Sequence, residues 1–401
     1  MISFTQKLNK NSKMNKISSS INAPSQSPVY RPLYYRIVNQ NDQEQLNALI
    51  KNNPDIIIYD TIAGQLAELI KLNHPQQRLT QEESAELVSK HVNGDTYQYG
   101  VWVYFPWSKK LVHTLDEEEF AQVRTSRNVY KITPEEINIL KNKKIGIIGL
   151  SVGQSIALTL AMERTCGELR LADFDEIELS NMNRIKVNIQ DLGLNKSIVA
   201  ARQIAELDPY INVICFTEGI TLGTIDEFFT GNGKLDILVE ECDGIDIKIL
   251  ARIKAKELGI PVVMDTNDKG MLDVERFDLE PGRPIFHGKV AELEALNADE
   301  LTAKLNALTI PEKIGYLGKI IGFENLSAAM MKSVGEMNKT IVGWPQLASA
   351  VTLGGAMITD VSRKILLDQF KASGRYFVDF DDLFKDEFNT TNNISGDNDT
   401  Y

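Results

Sequence analysis

The sequence predicts an α/β fold built on a doubly wound, mostly parallel sheet. Three observations carry that expectation. The stretch KKIGIIGL (143–150) is a near-continuous apolar run of strand length, as expected of a strand covered on both faces. A glycine-containing turn follows, and then a segment that is apolar almost all round: Ile156, Ala157, Leu158, Leu160, Ala161 and Met162. That pattern reads as a deeply packed helix. Strand–helix alternation of the same kind recurs to about Val274.

Residues 1–29, rich in Ser, Asn, Lys and Gln, read as a disordered tail, and so does the closing stretch 387–401. A small α/β unit is expected over 30–115. YYRIV (34–38) and DIIIY (55–59) read as strands, and 42–52 and 61–72 as helices, with Leu46, Leu49 and Ile50 on one face of the first. VWVYFPW (101–107) and KKLVHTL (109–115) resemble a hairpin. No chemistry is visible in this unit, and docking or dimerisation is its expected role.

Residues 116–285 form the expected main domain. After the first strand and helix come strand ELRLAD (168–173), helix 195–207, strand INVICF (211–216), strand DILVE (236–240), helix 245–258 and strand IPVVMD (260–265). A mainly helical extension over 286–386 completes the chain. Its segment 346–368 contains Ala348, Ala350, Gly354, Gly355 and Ala356, small residues that suit a buried core or dimer helix.

The net charge of −12 over 401 residues argues against a nucleic-acid binder, which needs a basic face, and against an anionic membrane surface. No run of eighteen apolar residues occurs, so no membrane span is expected. Cys166, Cys215 and Cys242 are far apart, which excludes a disulfide scaffold and the usual thiolate zinc spacing. The four histidines are equally scattered. A reducing cytoplasm is the expected location.

The chemistry begins at the turn GLSVGQS (149–155). A dinucleotide fingerprint uses three glycines, for the tight turn, for close approach to phosphate and for helix–strand packing. Gly149 fits the first role, but Ser151 and Gln154 stand where the other two would be, and Gly153 is one place early. Asp173 closes the second strand, where a carboxylate can accept hydrogen bonds from ribose hydroxyls. The most specific stretch is ADFDEIELSNMNRI (172–185), followed by Lys196 in GLNKS. A dehydrogenase needs neither Arg184 nor Lys196 there, whereas a triphosphate needs cations. Arg184 can make a forked contact, and Lys196 adds a point charge at a helix N-terminus that would otherwise disfavour it. Asn181 supplies neutral donors or acceptors.

This constellation resembles the ThiF-type family of adenylyltransferases, which includes the adenylation domains of ubiquitin-activating enzymes. The family pattern runs from a glycine turn through D-x-D-x-x-x-x-S-N-x-x-R to a Lys opening the next helix and an Asp after a later strand. The resemblance covers about 120–280. It implies a Rossmann-like domain that uses ATP and Mg²⁺ to adenylate a carboxylate, either the C-terminus of a ubiquitin-like or sulfur-carrier protein or a small acid. By this resemblance Gly149, Ser151 and Gly153 form the turn at the nucleotide. Asp173 holds the ribose, Asn181, Arg184 and Lys196 contact the phosphates, and Asp243 in LVEECDGID holds Mg²⁺. RTSRN (124–128) looks like the family's R-Y-x-R-Q, so Arg127 would reach the phosphates of the other subunit in a homodimer.

No cysteine follows Cys242, so transfer to an enzyme thiol is not expected, and Cys242 reads as a packed structural thiol. The flanks VWVYFPWSKKLVHTLDEEEF and MLDVERFDLEPGRPIFHGKV resemble a bacterial subgroup often fused to a nitroreductase-like flavin domain. The chain ends before such a domain, so any nitroreductase-like partner is expected on a separate protein. Two further readings stay open: an inactive nucleotide-binding adaptor, and an NAD(P)-dependent oxidoreductase that uses only Gly149 and Asp173.

Overall fold

Residues 27–384 are described in a computed structural model, with a division into two units between Asp236 and Ile237. The tails expected at 1–29 and 387–401 lie outside the described residues, apart from 27–29.

The first unit opens with a four-stranded sheet. It contains β1 (Leu33–Tyr35), β2 (Ile57–Asp60), β3 (Val101–Phe105) and β4 (Lys110–Thr114) in the order β1-β3-β4-β2. The expected hairpin is β3–β4, antiparallel with Val103 opposite Val112. All five β3 residues are buried, because their alternating side chains enter two cores. Trp102 and Tyr104 meet Tyr35, Leu46 and Leu111 on one face. Val101, Val103 and Phe105 meet Trp107 and Ala205 on the other. Helices α1 (Gln40–Asn52) and α2 (Ile62–Asn73) match expectation, while α3 (Gln81–Val92) is an addition, started by a Thr80–Glu83 capping box. Two short helices, α4 (Glu117–Arg124) and α5 (Pro134–Leu140), lead into the main domain.

There β5 (Lys144–Ile148), β6 (Glu168–Ala172) and β7 (Asn212–Phe216) run parallel in the order β5-β6-β7, with α6 (Gly153–Glu163) after β5 and α7 (Lys196–Leu207) before β7. The continuous apolar run becomes a strand whose last four residues are buried. Eight of the eleven α6 residues are buried too, but Met162, expected to be packed, lies in the last turn and is 47% exposed. A short helix, α8 (Ile225–Thr230), closes the unit. The N-terminal sheet is tied to α7 by Ala205 in its core and by the Trp107 indole, which donates to Glu206 Oε1 at 2.7 Å.

In the second unit β8 (Ile237–Glu240) and β9 (Val262–Thr266) are parallel and joined through α9 (Ile245–Glu257). The chain then reverses. β9 pairs antiparallel with β10 (Met271–Glu275), and β10 pairs antiparallel with β11 (Gly374–Phe377). Helices α10 (Ala298–Ala307), α11 (Ile310–Ile321) and α12 (Ala328–Glu336) make the region between them mainly helical, as expected. α13 (Ala348–Leu366) packs on β8, β9 and β10 through buried Val351, Ile358, Val361 and Ile365. The parallel pairs and alternating helices in both units agree with the predicted mostly parallel α/β class. Among the described residues no helix is long and apolar enough to cross a membrane.

Candidate functional site at the carboxyl ends of β5 and β6

The turn after β5 depends on two glycines with different tasks. Gly149 adopts φ +87°, a left-handed conformation that costs a residue with a Cβ about 1 kcal/mol or more, and it reverses the chain out of the strand. At Gly153, the first residue of α6, a Cβ would stand 2.7 Å from Cγ2 of the buried Ile147. Gly153 thus supplies the close helix–strand approach that the fingerprint assigns to its third glycine.

Gln154 does something else. Its Oε1 accepts from the Lys186 backbone N–H at 2.9 Å, and its Nε2 donates to Lys186 O at 3.0 Å and Gln203 Oε1 at 2.8 Å. It therefore points away from the turn and fastens α6 to α7 and to the segment carrying Arg184. The residue before α6 is Val152, which cannot cap, so no side chain covers the first N–H groups of that helix. Such an end is a ready anion site.

Asp173 follows β6 and is 8% exposed. Its Oδ2 accepts from the Leu150 N–H at 2.6 Å and its Oδ1 from the Asp175 N–H at 2.8 Å. The carboxylate is thus locked against the glycine turn, with one lone pair left on each oxygen. Burial pushes its pKa up, while Lys196 and the two amide donors pull the other way.

Lys196 opens α7, with Asn195 as N-cap accepting from the Ser197 N–H at 2.9 Å. The Asn195 amide also donates to Asp173 O at 2.9 Å, coupling the cap to the end of β6. Lys196 is 7% exposed and its Nζ pairs with Asp175 Oδ2 at 2.7 Å. Its charge at the helix start is therefore offset, an arrangement the sequence reading did not anticipate. Arg184 donates to Ser151 Oγ from Nε at 3.2 Å and Nη2 at 2.9 Å, so Ser151 brings the guanidinium onto the turn. Asn181 is buried and its Oδ1 accepts from the Glu178 N–H at 3.0 Å. It shapes the 3₁₀ turn Leu179–Asn183 from which Arg184 emerges.

Of the expected residues, Arg184 contacts Ser151 directly, Asp173 reaches the turn through Leu150 and Lys196 joins Asp173 through Asp175, while Gly149 and Gly153 shape the turn itself. Asn181 supports them from behind. Arg127 lies apart, exposed in the turns after α4. Asp175 and Asn195 belong to the site but went unread. Their signals were the second Asp of D-x-D and the capping Asn before a helix.

In the second unit Asp243 is exposed in the loop between β8 and α9. Among the described residues no group of three or more His, Cys, Asp or Glu side chains could hold a metal. A lone carboxylate suits Mg²⁺, which takes one or two carboxylates plus substrate phosphates rather than a protein cage. Beneath the loop Glu240 is fully buried, with both oxygens 2.9 Å from Lys248 Nζ. Burial raises the Glu240 pKa, but Lys248 and Arg252 outweigh that effect and hold it below the usual range. Cys242 Sγ donates to Glu240 Oε1 at 3.0 Å, and burial together with that carboxylate keeps the thiol protonated. This fits a packed structural thiol.

Residues 125–288 match the ThiF family. The chain is 40% identical over 345 residues to an uncharacterized protein, MT1398, of Mycobacterium tuberculosis, covering 86% of this chain and 45% of that one. It is 26% identical over 155 residues to the tRNA threonylcarbamoyladenosine dehydratase of Bacillus subtilis, covering 38% of this chain and 60% of that one. The match therefore spans only part of these relatives' length. Among solved structures, the Escherichia coli tRNA N6-threonylcarbamoyladenosine dehydratase in complex with ATP aligns with a TM-score of 0.45 and 17% identity, over 63% of this chain and 97% of that one. The chain carries a ThiF-type domain over residues 125–288.

Proposed function

We propose that this chain adenylates a carboxylate with ATP and Mg²⁺. The observation that carries the reading is the grouping of Asp173, Arg184 and Lys196 around the uncapped start of α6, at the carboxyl ends of parallel β5 and β6. In open α/β sheets that end of the strands is where ligands bind. The dehydratase and modifier-activating names among its relatives support the same class of chemistry.

ATP would supply the α-phosphorus that the carboxylate attacks with release of pyrophosphate, and Mg²⁺ held by Asp243 would offset charge on the leaving group. Asp173 accepts from ribose hydroxyls through its remaining lone pairs. The open N–H groups of α6, the Arg184 fork and Lys196 stabilise negative charge on the phosphates. Ser151 positions Arg184, and Asp175 keeps Lys196 in place before a phosphate competes for it. Arg127 completes the site across a homodimer. The acyl substrate is the C-terminus of a small carrier or ubiquitin-like protein, or a small acid, and the location is the cytoplasm.

Calorimetry with ATP–Mg²⁺, NAD⁺ and NADH on wild type and Lys196→Ala tests this reading, followed by pyrophosphate exchange with candidate acids. ATP binding lost in the variant, with no dinucleotide binding, is the expected result. Absence of ATP binding to wild type would replace the enzyme with the adaptor reading, and tight NAD(H) binding would replace it with an oxidoreductase.

A further inference from the structure

A second cleft lies in the first unit at the opposite end of the parallel strands from Gly149 and Asp173. Its volume is about 350 Å³. One side is made by Asn212 and Val213 at the start of β7 and by the Pro209–Tyr210 connection, and its floor by Ala201 and Ala205 of α7. The other side is the segment from Tyr30 to Arg36 that leads through β1.

The lining has a definite chemistry. It includes three tyrosines and two arginines and no Asp or Glu, in a chain whose net charge is −12. The tyrosine hydroxyls are already engaged. Tyr34 donates to Pro209 O, Tyr210 donates to Leu115 O at 2.6 Å, and Tyr30 accepts from the Cys215 N–H at 3.4 Å. They therefore offer ring surface, and the Tyr34 and Tyr210 rings stack on each other, 6.1 Å apart and 25° from parallel.

The arginines differ. Arg36 is spent on Asp116, with contacts of 2.6 and 2.8 Å. Arg31 has no ion-pair partner among the described residues and stands exposed, 5.7 Å over the Tyr30 ring. The cleft is also pre-formed, because Arg202 of α7 donates to Val29 O at 2.9 Å and pins the segment entering Tyr30. The small floor residues, 0% and 4% exposed, create the depth.

We propose that this cleft binds a small planar aromatic anion, with its ring against the stacked Tyr34–Tyr210 pair and its carboxylate on Arg31. The volume is near the lower limit of ligand sites, roughly 300–1,000 Å³, which suits a single ring and not a dinucleotide. Aromatic walls with one convergent charge are the usual composition of such sites. The ligand sits at the far end of the helix that presents Lys196: nine residues separate Lys196 from Ala205, about 14 Å along the axis. The site is thus distinct from the nucleotide turn.

The test is titration of the full chain with 4-hydroxybenzoate, followed by calorimetry or ligand-observed NMR, with 4-hydroxybenzamide and inorganic phosphate as comparison probes. Saturable binding of 4-hydroxybenzoate is expected. It should weaken roughly tenfold or more in Arg31→Gln, the loss of one charge-assisted contact. It should disappear in Ala205→Leu, whose side chain fills the floor, provided that variant's melting confirms a folded protein. Arg31 is exposed, so Arg31→Gln alone decides the matter if Ala205→Leu does not fold. Binding should persist in Lys196→Ala. No saturable binding to wild type at millimolar concentration overturns the proposal. So do equal binding of the neutral amide, equal binding of phosphate, insensitivity to Arg31→Gln, and loss in Lys196→Ala, which would move the ligand into the nucleotide site.

Discussion

Replacing Gly153 by Ala tests whether this residue, one place early in the fingerprint, performs the packing task of the third glycine. The new Cβ would lie 2.7 Å from Ile147 Cγ2, and Ile147 is 0% exposed on β5. Neither backbone can yield freely, because β5 is paired to β6 and α6 is buried along most of its length. Overpacking of this kind costs roughly 1–3 kcal/mol, and Ala gains back up to about 1 kcal/mol of helix propensity. A net loss of about 1–2 kcal/mol follows, or a melting temperature lower by roughly 2–8 °C for a unit of this size. Gly64 is the matched control. It sits in α2 with nothing within 4 Å of an added Cβ, so Gly64→Ala should raise stability by about 0.5–1 kcal/mol. Thermal melts of the two variants should therefore move in opposite directions. Because α6 carries the uncapped N–H groups, ATP affinity should fall only in Gly153→Ala. Equal stability of Gly153→Ala and wild type, or parallel shifts in the two variants, would refute the reasoning.

Gln154→Gly, which restores a fingerprint glycine, removes three hydrogen bonds. It should cost about 2–3 kcal/mol in denaturant unfolding without strengthening ATP binding. A tenfold gain in affinity, roughly 1.4 kcal/mol, would show that Gln154 obstructs the site. Lys196→Ala and Asp243→Ala should each lower pyrophosphate exchange by about 100-fold or more with the fold intact by circular dichroism, the range seen when one transition-state donor is removed. Full activity in either would dismantle the assignment. Mixing Arg127→Ala with Asp243→Ala protein should restore part of the exchange if Arg127 acts across a dimer, and no rescue would remove it from the site. Burial raises the Asp265 carboxyl to about 7, and its backbone N–H donates to Glu241 Oε1 at 2.8 Å. The folded state then holds a proton that the unfolded chain releases near pH 4, so stability falls as pH rises from about 4 to 7, by at most ~4 kcal/mol. Melts from pH 5 to 8 should show that slope, and Asp265→Asn should lessen it, the remainder coming from the neighbouring Glu241 carboxyl, which burial also raises. An unchanged slope in the variant would exclude this carboxyl as its source.

The parts of the site legible in the sequence are those fixed by chain direction and spacing. A strand, a turn and a carboxylate at the end of the next parallel strand must share one edge of the sheet, so Gly149 and Asp173 could be placed together without coordinates. Lys196 could be placed at a helix start from the pattern of 195–207, although the Asn195 cap that fixes that start went unread. What spacing does not encode is which side chains satisfy one another once that edge is built. The Asp175 pairing of Lys196 and the Ser151 grip on Arg184 depend on side-chain directions that only the packed turn defines. The same distinction explains the displaced glycine. The fingerprint counts positions, whereas the physical requirement is that α6 approach Ile147 closely somewhere in its first turn. Gly153 meets that requirement one residue early, which leaves position 154 free for a side chain that binds α6 to Lys186 and Gln203. Antiparallel β10 and β11 were missed for a related reason. β11 reaches β10 only after the helical segment has folded back, and four residues at 374–377 carry no periodic signal of their own. In this chain, then, local order and parallel topology are written in the sequence. The reciprocal contacts that set charge and geometry at the turn after β5 arise from packing, and the Gly153 and Gln154 variants separate those two sources.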